Sequence, residues 1–364
     1  MNATAQTRFE LRRLRSGVTL VELLVVITIL LMLLAIAAPL VVSPLESRQM
    51  REGARGVNAY IAGARDRAIA NGRPVGVQLQ RINVSSVQGI NSAMTMNIVE
   101  VPPPYAGDFL QSRMSVSFNT STNRNEITFA GIPGPVMDQW QVLVRPGDRL
   151  RLNYQGHVYV INTTAANVNA AGFITQIVDG SGNAMCWLTT ETNTWPMLIN
   201  SAPYQVFRAP VKSAVPPLQL PEGVVIDLNA SGVGATGRQF EQGTTTGNAT
   251  RQVPVTIMFG PNGGLDRVHF GLANTNNYTL GVRPSAPVYL MVGRLDKVRR
   301  DWNFDLPNEM DNMEDLSNIW VSISPGTGLI QTNPVALPPA GSTGTTFIYQ
   351  ARTFAVQKAA QGSN

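Results

Sequence analysis

The sequence predicts an α+β protein, with one long N-terminal helix and an antiparallel β-rich head. Two observations favour this class. Residues 18–42 form an apolar stretch in which Glu22 is the only charged residue, and a helical pattern continues to about residue 72. From residue 73 onwards, short runs of β-branched and aromatic residues alternate with turns rich in Gly, Pro and Asn. Short, regularly interrupted runs of this kind are typical of antiparallel sheets.

The apolar stretch of residues 18–42 is long enough to cross a membrane, because about 20 apolar residues span the hydrocarbon core. Basic residues precede it, namely Arg8, Arg12, Arg13 and Arg15. Positive charges before an apolar span favour a cytoplasmic amino terminus. We therefore expect the rest of the chain on the opposite side of the membrane.

Glu22 is the unusual residue of this stretch. An ionised carboxylate inside hydrocarbon costs about 2.5 kcal/mol or more, so such a residue usually has a partner. Glu22 lies one helical turn after Val18, whose amino group becomes a cation if the chain is cut between Gly17 and Val18. In an assembly, the amine of one subunit would neutralise Glu22 of another.

The basic leader, Gly17 and the spacing to Glu22 resemble the processing site of type IV prepilins and type II secretion pseudopilins. This resemblance implies that a prepilin peptidase cuts after Gly17. It also implies that Val18 becomes an N-methylated amino terminus and that Glu22 guides filament assembly. Val18 departs from the phenylalanine or methionine that is more frequent after the cut. The implied fold is pilin-like, with a helix whose first half spans the inner membrane and whose head lies in the periplasm.

Pro39 falls where members of this superfamily commonly carry a proline, and Pro44 follows closely. A proline inside a helix removes a backbone hydrogen bond and kinks the axis. We therefore expect a kink at Pro39, where the helix leaves the membrane.

Two other interpretations of the N-terminal region stay open. One is a signal anchor whose glutamate lies near the membrane interface. The other is a secretory signal peptide, because Ala35-Ile36-Ala37 has the small-x-small pattern that signal peptidase favours. The apolar stretch is longer than the usual 7–15 residues of such peptides and contains a carboxylate, which disfavours the second interpretation.

The predicted domains follow from these patterns. Residues 1–17 are a cleaved leader, residues 18–42 the transmembrane half of the helix, residues 43–72 its periplasmic half, and residues 73–364 the head. The periplasmic half carries an apolar stripe at helical spacing, formed by Val57, Tyr60, Ile61, Ala64 and Ala68. Because such a helix is marginal alone, the stripe should pack on a sheet. Asn71-Gly72 and Pro74 predict its end.

Candidate strands follow along the head. They are residues 75–79, 96–101, 126–129, 140–144, 150–154, 157–161, 173–178, 204–207, 224–228, 253–259, 268–270, 288–292 and 320–324. Residues 255–270 predict a hairpin, residues 310–316 a short helix, and residues 358–364 a frayed polar tail.

Two internal segments are similar to the H-type (FimT-like) minor pseudopilins of type II secretion. One is residues 64–75, at the end of the first helix. The other is the hairpin, whose strand ends in Phe259-x-Pro261-x-Gly263. These relatives are considerably shorter, so residues 82–250, approximately, are interpreted as an enlarged β insertion.

The resemblance implies a minor pseudopilin, which is a structural subunit of a type II secretion or type IV pilus-like periplasmic filament used in protein secretion. Expected partners are the prepilin peptidase, other pseudopilins or pilins, the inner-membrane assembly platform and a secreted substrate. A DNA-uptake minor pilin and an adhesive minor pilin remain alternatives.

Composition does not favour an enzyme. Charged residues make up 14% of the chain, and neither a phosphate-binding glycine loop nor a Gly-x-Ser-x-Gly motif occurs. His157 and His269 are far apart in sequence, so no metal or other cofactor is expected. Cys186 is the only cysteine, which excludes an internal disulfide and suggests a buried, unreactive thiol. Much of the net charge of +5 lies in the leader, so no nucleic acid is expected as a partner.

Two charged clusters carry alternative interpretations. Asp311, Glu314 and Asp315 have the oxygen ligands that calcium prefers. Lys297, Arg299 and Arg300 lie beside Trp302 and would suit DNA phosphates. Both clusters are short and are better explained as solvated surface, the second because Asp296, Asp301 and Asp305 flank it.

Overall fold

The computed structural model describes residues 19–83, 86–130, 140–169, 172–189, 198–237, 240, 254–270, 281–298, 311–337 and 344–361. The chain divides into two units, Met1–Arg48 and Gln49–Asn364. The described residues confirm the predicted α+β class with a large antiparallel head.

The helices are α1 (Leu20–Asn71), α2 (Val87–Ile90), α3 (Trp140–Leu143) and α4 (Gly344–Gln361). The first strands are β1 (Val75–Arg81), β2 (Ser92–Glu100), β3 (Arg113–Asn119), β4 (Arg124–Ala130), β5 (Arg149–Leu152), β6 (Val158–Thr163), β7 (Cys186–Thr189), β8 (Leu198–Ala202) and β9 (Tyr204–Phe207). The later strands are β10 (Val211–Lys212), β11 (Leu218–Gln219), β12 (Val224–Val233), β13 (Val255–Phe259), β14 (Leu265–His269), β15 (Gly281–Val282), β16 (Val288–Arg294), β17 (Ile319–Ile323) and β18 (Ile330–Pro334).

In the first unit, the side chains of residues 20–34 of α1 are exposed, and almost all of them are apolar. The side chains of residues 35–46 lie outside the description. Within the described residues, no helix is both long enough and apolar enough to cross a membrane. This finding does not support the transmembrane half predicted for residues 18–42, which stays a prediction.

In the second unit, the last turns of α1 lie on the sheet, as predicted. Val57, Ile61, Ala64 and Ala68 are fully buried, and Tyr60 packs against the same core. Gly72 adopts a φ of 61°, which a residue with a side chain rarely does, and this residue ends the helix.

The main sheet has eleven strands in the order β15-β14-β13-β1-β2-β12-β16-β17-β18, and β10 and β11 both pair with β2. All of its pairings are antiparallel, and the hairpin predicted at residues 255–270 is formed by β13 and β14. The core beneath α1 takes side chains from both halves of this sheet. The turn between β13 and β14 also meets the turn between β17 and β18, where the Leu265 amide donates to the Pro325 carbonyl at 2.9 Å.

A second sheet has seven strands in the order β8-β3-β4-β7-β6-β5-β9. Its separate core includes Trp140 and Tyr204, whose ring centroids are 6.0 Å apart. This sheet occupies only part of the predicted insertion. The strands β2, β10, β11 and β12 also lie between residues 82 and 250, but they belong to the main sheet.

A third core forms under α4, a helix that was not predicted from the sequence. Ile348, Ala351 and Ala355 of α4 pack with Trp320 of β17 and Met291 of β16. Residues 358–361, predicted as part of a frayed tail, are therefore the last turn of a helix. Apolar residues at i, i+3 and i+7 are the signal that predicts this helix.

Three other local predictions were wrong. Residues 140–143 form a helical turn, because an apolar run this short does not distinguish strand from helix by periodicity. Residues 173–178 make only isolated bridges, Val168 with Ile174 and Val178 with Ala184. Residues 311–316 form turns instead of a helix, because Asp311 accepts from the Met313 and Glu314 amides.

Two buried carboxyl groups make the folded state sensitive to pH. Burial raises the pKa of Asp148 to about 7, although the Arg145 and Ala209 amides donate to it at 2.8 and 2.7 Å and act in the opposite direction. Burial likewise raises the pKa of Asp227 to about 6, against the effect of the Asn312 side-chain amide at 2.8 Å. Both groups therefore bind protons more readily in the folded state than in the unfolded state, where a pKa near 4 applies.

We expect the free energy of unfolding to fall as the pH rises from about 4 to about 7, by roughly 3 kcal/mol or more, and then to level off. Chemical denaturation of the full chain in detergent at several pH values measures this slope. Asp148→Asn should reduce the slope to the part that Asp227 contributes, whereas Asp66→Asn, at an exposed position of α1, should leave it unchanged. An asparagine side chain has one acceptor oxygen where Asp148 has two, so Asp148→Asn also loses one of the two hydrogen bonds from the Arg145 and Ala209 amides. The readout is therefore the change of stability with pH and not the absolute stability. An unaltered slope in Asp148→Asn would contradict the assignment.

Candidate functional site

Thr19 caps the N-terminal end of α1. Its side-chain oxygen accepts from the Glu22 amide at 3.2 Å, and its carbonyl accepts from the Leu23 amide at 3.1 Å. The side chain of Thr19 thus satisfies the Glu22 amide, which has no partner within the helix, and its carbonyl accepts the first intrahelical bond. The sequence signal for this cap is the Thr-x-x-Glu spacing of a capping box, from Thr19 to Glu22, and it was not among the predictions made above. Glu22 therefore lies at a defined position, in the first turn of the helix.

Glu22 stands on an otherwise apolar surface. Leu20, Val21 and Leu23 around it are exposed. The other polar side chain among residues 20–34, Thr28, donates its hydroxyl to the Val25 carbonyl at 2.8 Å and so needs no outside partner. Within the described part of the chain, the Glu22 carboxylate has neither a hydrogen bond nor an ion pair. A charge on an apolar surface without a partner is costly if that surface is later buried.

Gly17 and Val18 lie outside the described residues, so cleavage and methylation there stay predictions. Pro39 lies within the continuous helix α1, but its side chain belongs to the undescribed segment. The kink at Pro39 also stays a prediction.

The family model described as the prokaryotic N-terminal methylation motif matches residues 12–38. This motif indicates a type IV pilin-like or pseudopilin protein. It implies processing by a prepilin peptidase and assembly with other pilins, and it suggests an inner-membrane anchor with an exported head. Proteins with this motif are typically structural and not enzymes. No curated protein and no solved structure matches the chain.

The acidic cluster near β17 uses its oxygens within the fold. One Asp311 oxygen accepts from two backbone amides, and Asp315 forms an ion pair with Lys297 at 2.6 Å. Asp315 also accepts from the Ser317 amide and hydroxyl. Across the described ranges, no group of three acidic, His or Cys side chains is placed to hold a metal ion.

The basic cluster is only partly described. Lys297 is committed to Asp315, which reduces the positive charge that it offers to a phosphate. Arg299, Arg300 and Trp302 lie outside the described residues. The DNA-binding alternative therefore gains no support from Lys297.

Cys186 is buried in the second sheet, as expected. Burial raises the pKa of its thiol to about 12, and the thiol lies 3.4 Å from the Gln176 carbonyl. A neutral, buried thiol is unreactive. His157 stacks edge-on against Tyr159 in the second sheet, whereas His269 belongs to β14 of the main sheet.

Proposed function

We propose that this protein is a minor pseudopilin, a structural subunit of a type II secretion or type IV pilus-like periplasmic filament. The prepilin peptidase cuts between Gly17 and Val18, and the new amine of Val18 is methylated. Residues 1–17 are then the leader, residues 18–42 the membrane half of the helix, residues 43–72 its periplasmic half and residues 73–364 the head. The inner membrane holds the subunit by this single helix until the assembly platform extracts it.

The observation that carries this proposal is the Glu22 carboxylate, which has no partner in the described chain and lies on an exposed apolar helix. Such a helix is suited to pack against other apolar helices, and the buried carboxylate then requires a cation. The methylated amine of Val18 in a neighbouring subunit is a cation of suitable size and position. The methylation motif over residues 12–38 supports the same proposal.

The H-type assignment rests on the end of α1 and on the hairpin of β13 and β14. The hairpin turn contacts α1 directly, since Arg65 donates through Nε to the Gly263 carbonyl at 3.3 Å. The two segments that resemble the H-type family, the end of α1 and the hairpin, therefore share one role, which is to fix the helix on the sheet. The head would then face secreted substrate or other minor subunits.

Glu22→Gln tests the proposed assembly contact. It removes the charge but keeps the size, the helix propensity and the backbone amide that Thr19 caps. We expect normal cleavage and methylation, and a loss of about tenfold or more in the fraction that co-purifies with filament subunits, because a charge-assisted pair is lost. Quantitative mass spectrometry of sheared filaments, or of subunits cross-linked in the membrane, measures this fraction.

Thr19→Ala is the matched control. It weakens the same helix end by about 1 kcal/mol but leaves the carboxylate in place. Assembly should persist in this variant. Equal loss in both variants would mean that the helix end matters and not the charge, and normal assembly of Glu22→Gln would overturn the proposed contact.

A further inference from the structure

A cleft lies between the two sheets of the head, on the side of β14 and β5. Its volume is about 330 Å³, which is within the range of small-ligand sites. The main sheet contributes Arg267 and His269 from β14, and Arg73 lies just before β1. The second sheet contributes Arg149 from β5, and Arg208 follows β9. We call this the inter-sheet cleft.

Among the described residues, the arginines of the inter-sheet cleft form no close ion pair, although the charges of Asp266 and Asp148 act on Arg149, and that of Asp148 acts on Arg208, from a greater distance. Arg149 is half-buried, yet its guanidinium makes no hydrogen bond or ion pair with any described residue. Burial, and next the charge of Arg267, lower the pKa of Arg149. The Nε of Arg208 is buried without a partner among the described residues, while its Nη2 donates to the Pro103 carbonyl at 3.2 Å. Arg73 likewise lacks a described partner.

The two acids of the cleft are already engaged. Asp148 accepts from the Arg145 and Ala209 amides, and Asp266 faces Arg283 at 3.6 Å. Within the described ranges, the acceptor of Arg267 is a carbonyl, that of Gly281, at 2.9 Å. A guanidinium whose donors are not used by an acid presents a planar fork that can bind a carboxylate through two hydrogen bonds. The cleft therefore has unused donors for an anion.

The remaining walls of the cleft are apolar. They are formed by Pro102, Pro103, Pro104, Pro146, Phe207 and Met258. Prolines have no amide donor, so these walls can contact an apolar part of a ligand but cannot donate hydrogen bonds to a second anionic group. Asp148 and Asp266 also disfavour a ligand with two negative charges, such as a phosphate.

We propose that the inter-sheet cleft binds a carboxylate carried on an apolar body. The arginines hold the carboxylate, and the proline and phenylalanine walls hold the apolar part. Its source is either the end or an acidic side chain of a peptide, or a free organic acid. The site uses only residues of the head, so its test does not depend on whether the protein is a filament subunit.

N-acetylphenylalanine is a suitable probe, because it combines one carboxylate with one apolar ring. Its primary amide has the same shape without the charge. Saturation-transfer NMR titrations on the full chain in detergent micelles measure both affinities. We expect the acid to bind at least tenfold more tightly than the amide, and inorganic phosphate not to displace it at equal concentration.

Arg149→Gln should weaken binding of the acid by about tenfold, because a charge-assisted hydrogen bond is lost. Arg113→Gln, at an exposed position on β3 of the second sheet, is the matched control and should change nothing. Arg73→Gln, at an exposed position of the cleft, is a second variant that leaves the packing intact and should also weaken binding. Circular dichroism and the melting temperature establish that all three variants are folded.

A tripeptide acid that ends in phenylalanine separates the two sources. If it binds as well as the probe, the cleft takes the end of a peptide. If the longer chain is rejected while the probe binds, the cleft takes a free organic acid. Equal binding of acid and amide, tighter binding of phosphate, or unchanged affinity in both Arg149→Gln and Arg73→Gln would overturn the proposal.

Discussion

Replacing Gly17 with leucine is expected to leave the protein entirely unprocessed. Glycine lets the backbone approach the catalytic groups of a peptidase closely, and a large side chain immediately before the cut blocks that approach. The uncut chain retains its basic leader, so the Val18 amine never forms and Glu22 lacks its proposed cation. Intact and peptide mass spectrometry of protein from native membranes, with and without the prepilin peptidase of the host, measures the outcome.

Ala37→Leu is the matched control for Gly17→Leu. It blocks the small-x-small site that a signal peptidase would use, but leaves Gly17 and Val18 unchanged. We expect wild-type processing, with an N-methylated Val18 that depends on the prepilin peptidase. A terminus at Ala38 in the wild type that is lost only in Ala37→Leu would replace the filament assignment with a secreted protein.

Gly328→Ala is expected to lower the free energy of unfolding by about 3 kcal/mol. Gly328 has a φ of 62°, where a residue with a Cβ is strained by about 1 kcal/mol. An added Cβ would also overlap the Gly263 carbonyl oxygen, and overpacking adds about 1–3 kcal/mol. The overlapping group is backbone of the hairpin turn between β13 and β14, so it cannot move aside by a side-chain rotation. Chemical denaturation of the full chain measures the change.

Gly326 lies in the same turn as Gly328, between β17 and β18, and is the control position. A Cβ there meets no atom within 4 Å, and its φ is not positive. Gly326→Ala should therefore be close to neutral. Similar stability of the two variants would show that the close approach of the two turns does not stabilise the head.

Local sequence patterns predicted the first helix well. The apolar stripe from Val57 to Ala68 is buried, and the helix ends at the Asn71-Gly72 signal. The hairpin of β13 and β14 was also predictable, because a run rich in β-branched residues leads into a turn with three glycines. These features depend on neighbours within a few residues along the chain.

Other elements depended on partners far away in sequence. The strand β3 was missed although Met114 and Val116 alternate with polar residues, because its face is decided by pairing with β4 and β8. The helix α4 was missed because its apolar stripe is short, and Trp320 and Met291 complete its core from two strands. Neither partner can be deduced from the segment itself.

The sequence alone determined the N-terminal motif, the long helix and the antiparallel class, since each is set by the spacing of residues close together along the chain. The tertiary structure alone decided that β2 and β12 belong to one sheet while β3 to β9 form another. It also brought Arg73, Arg149, Arg208 and Arg267 to one cleft, although they are spread over the sequence. The physical reason is that cores and clefts are made by contacts between distant segments, and local periodicity carries no information about which segments meet.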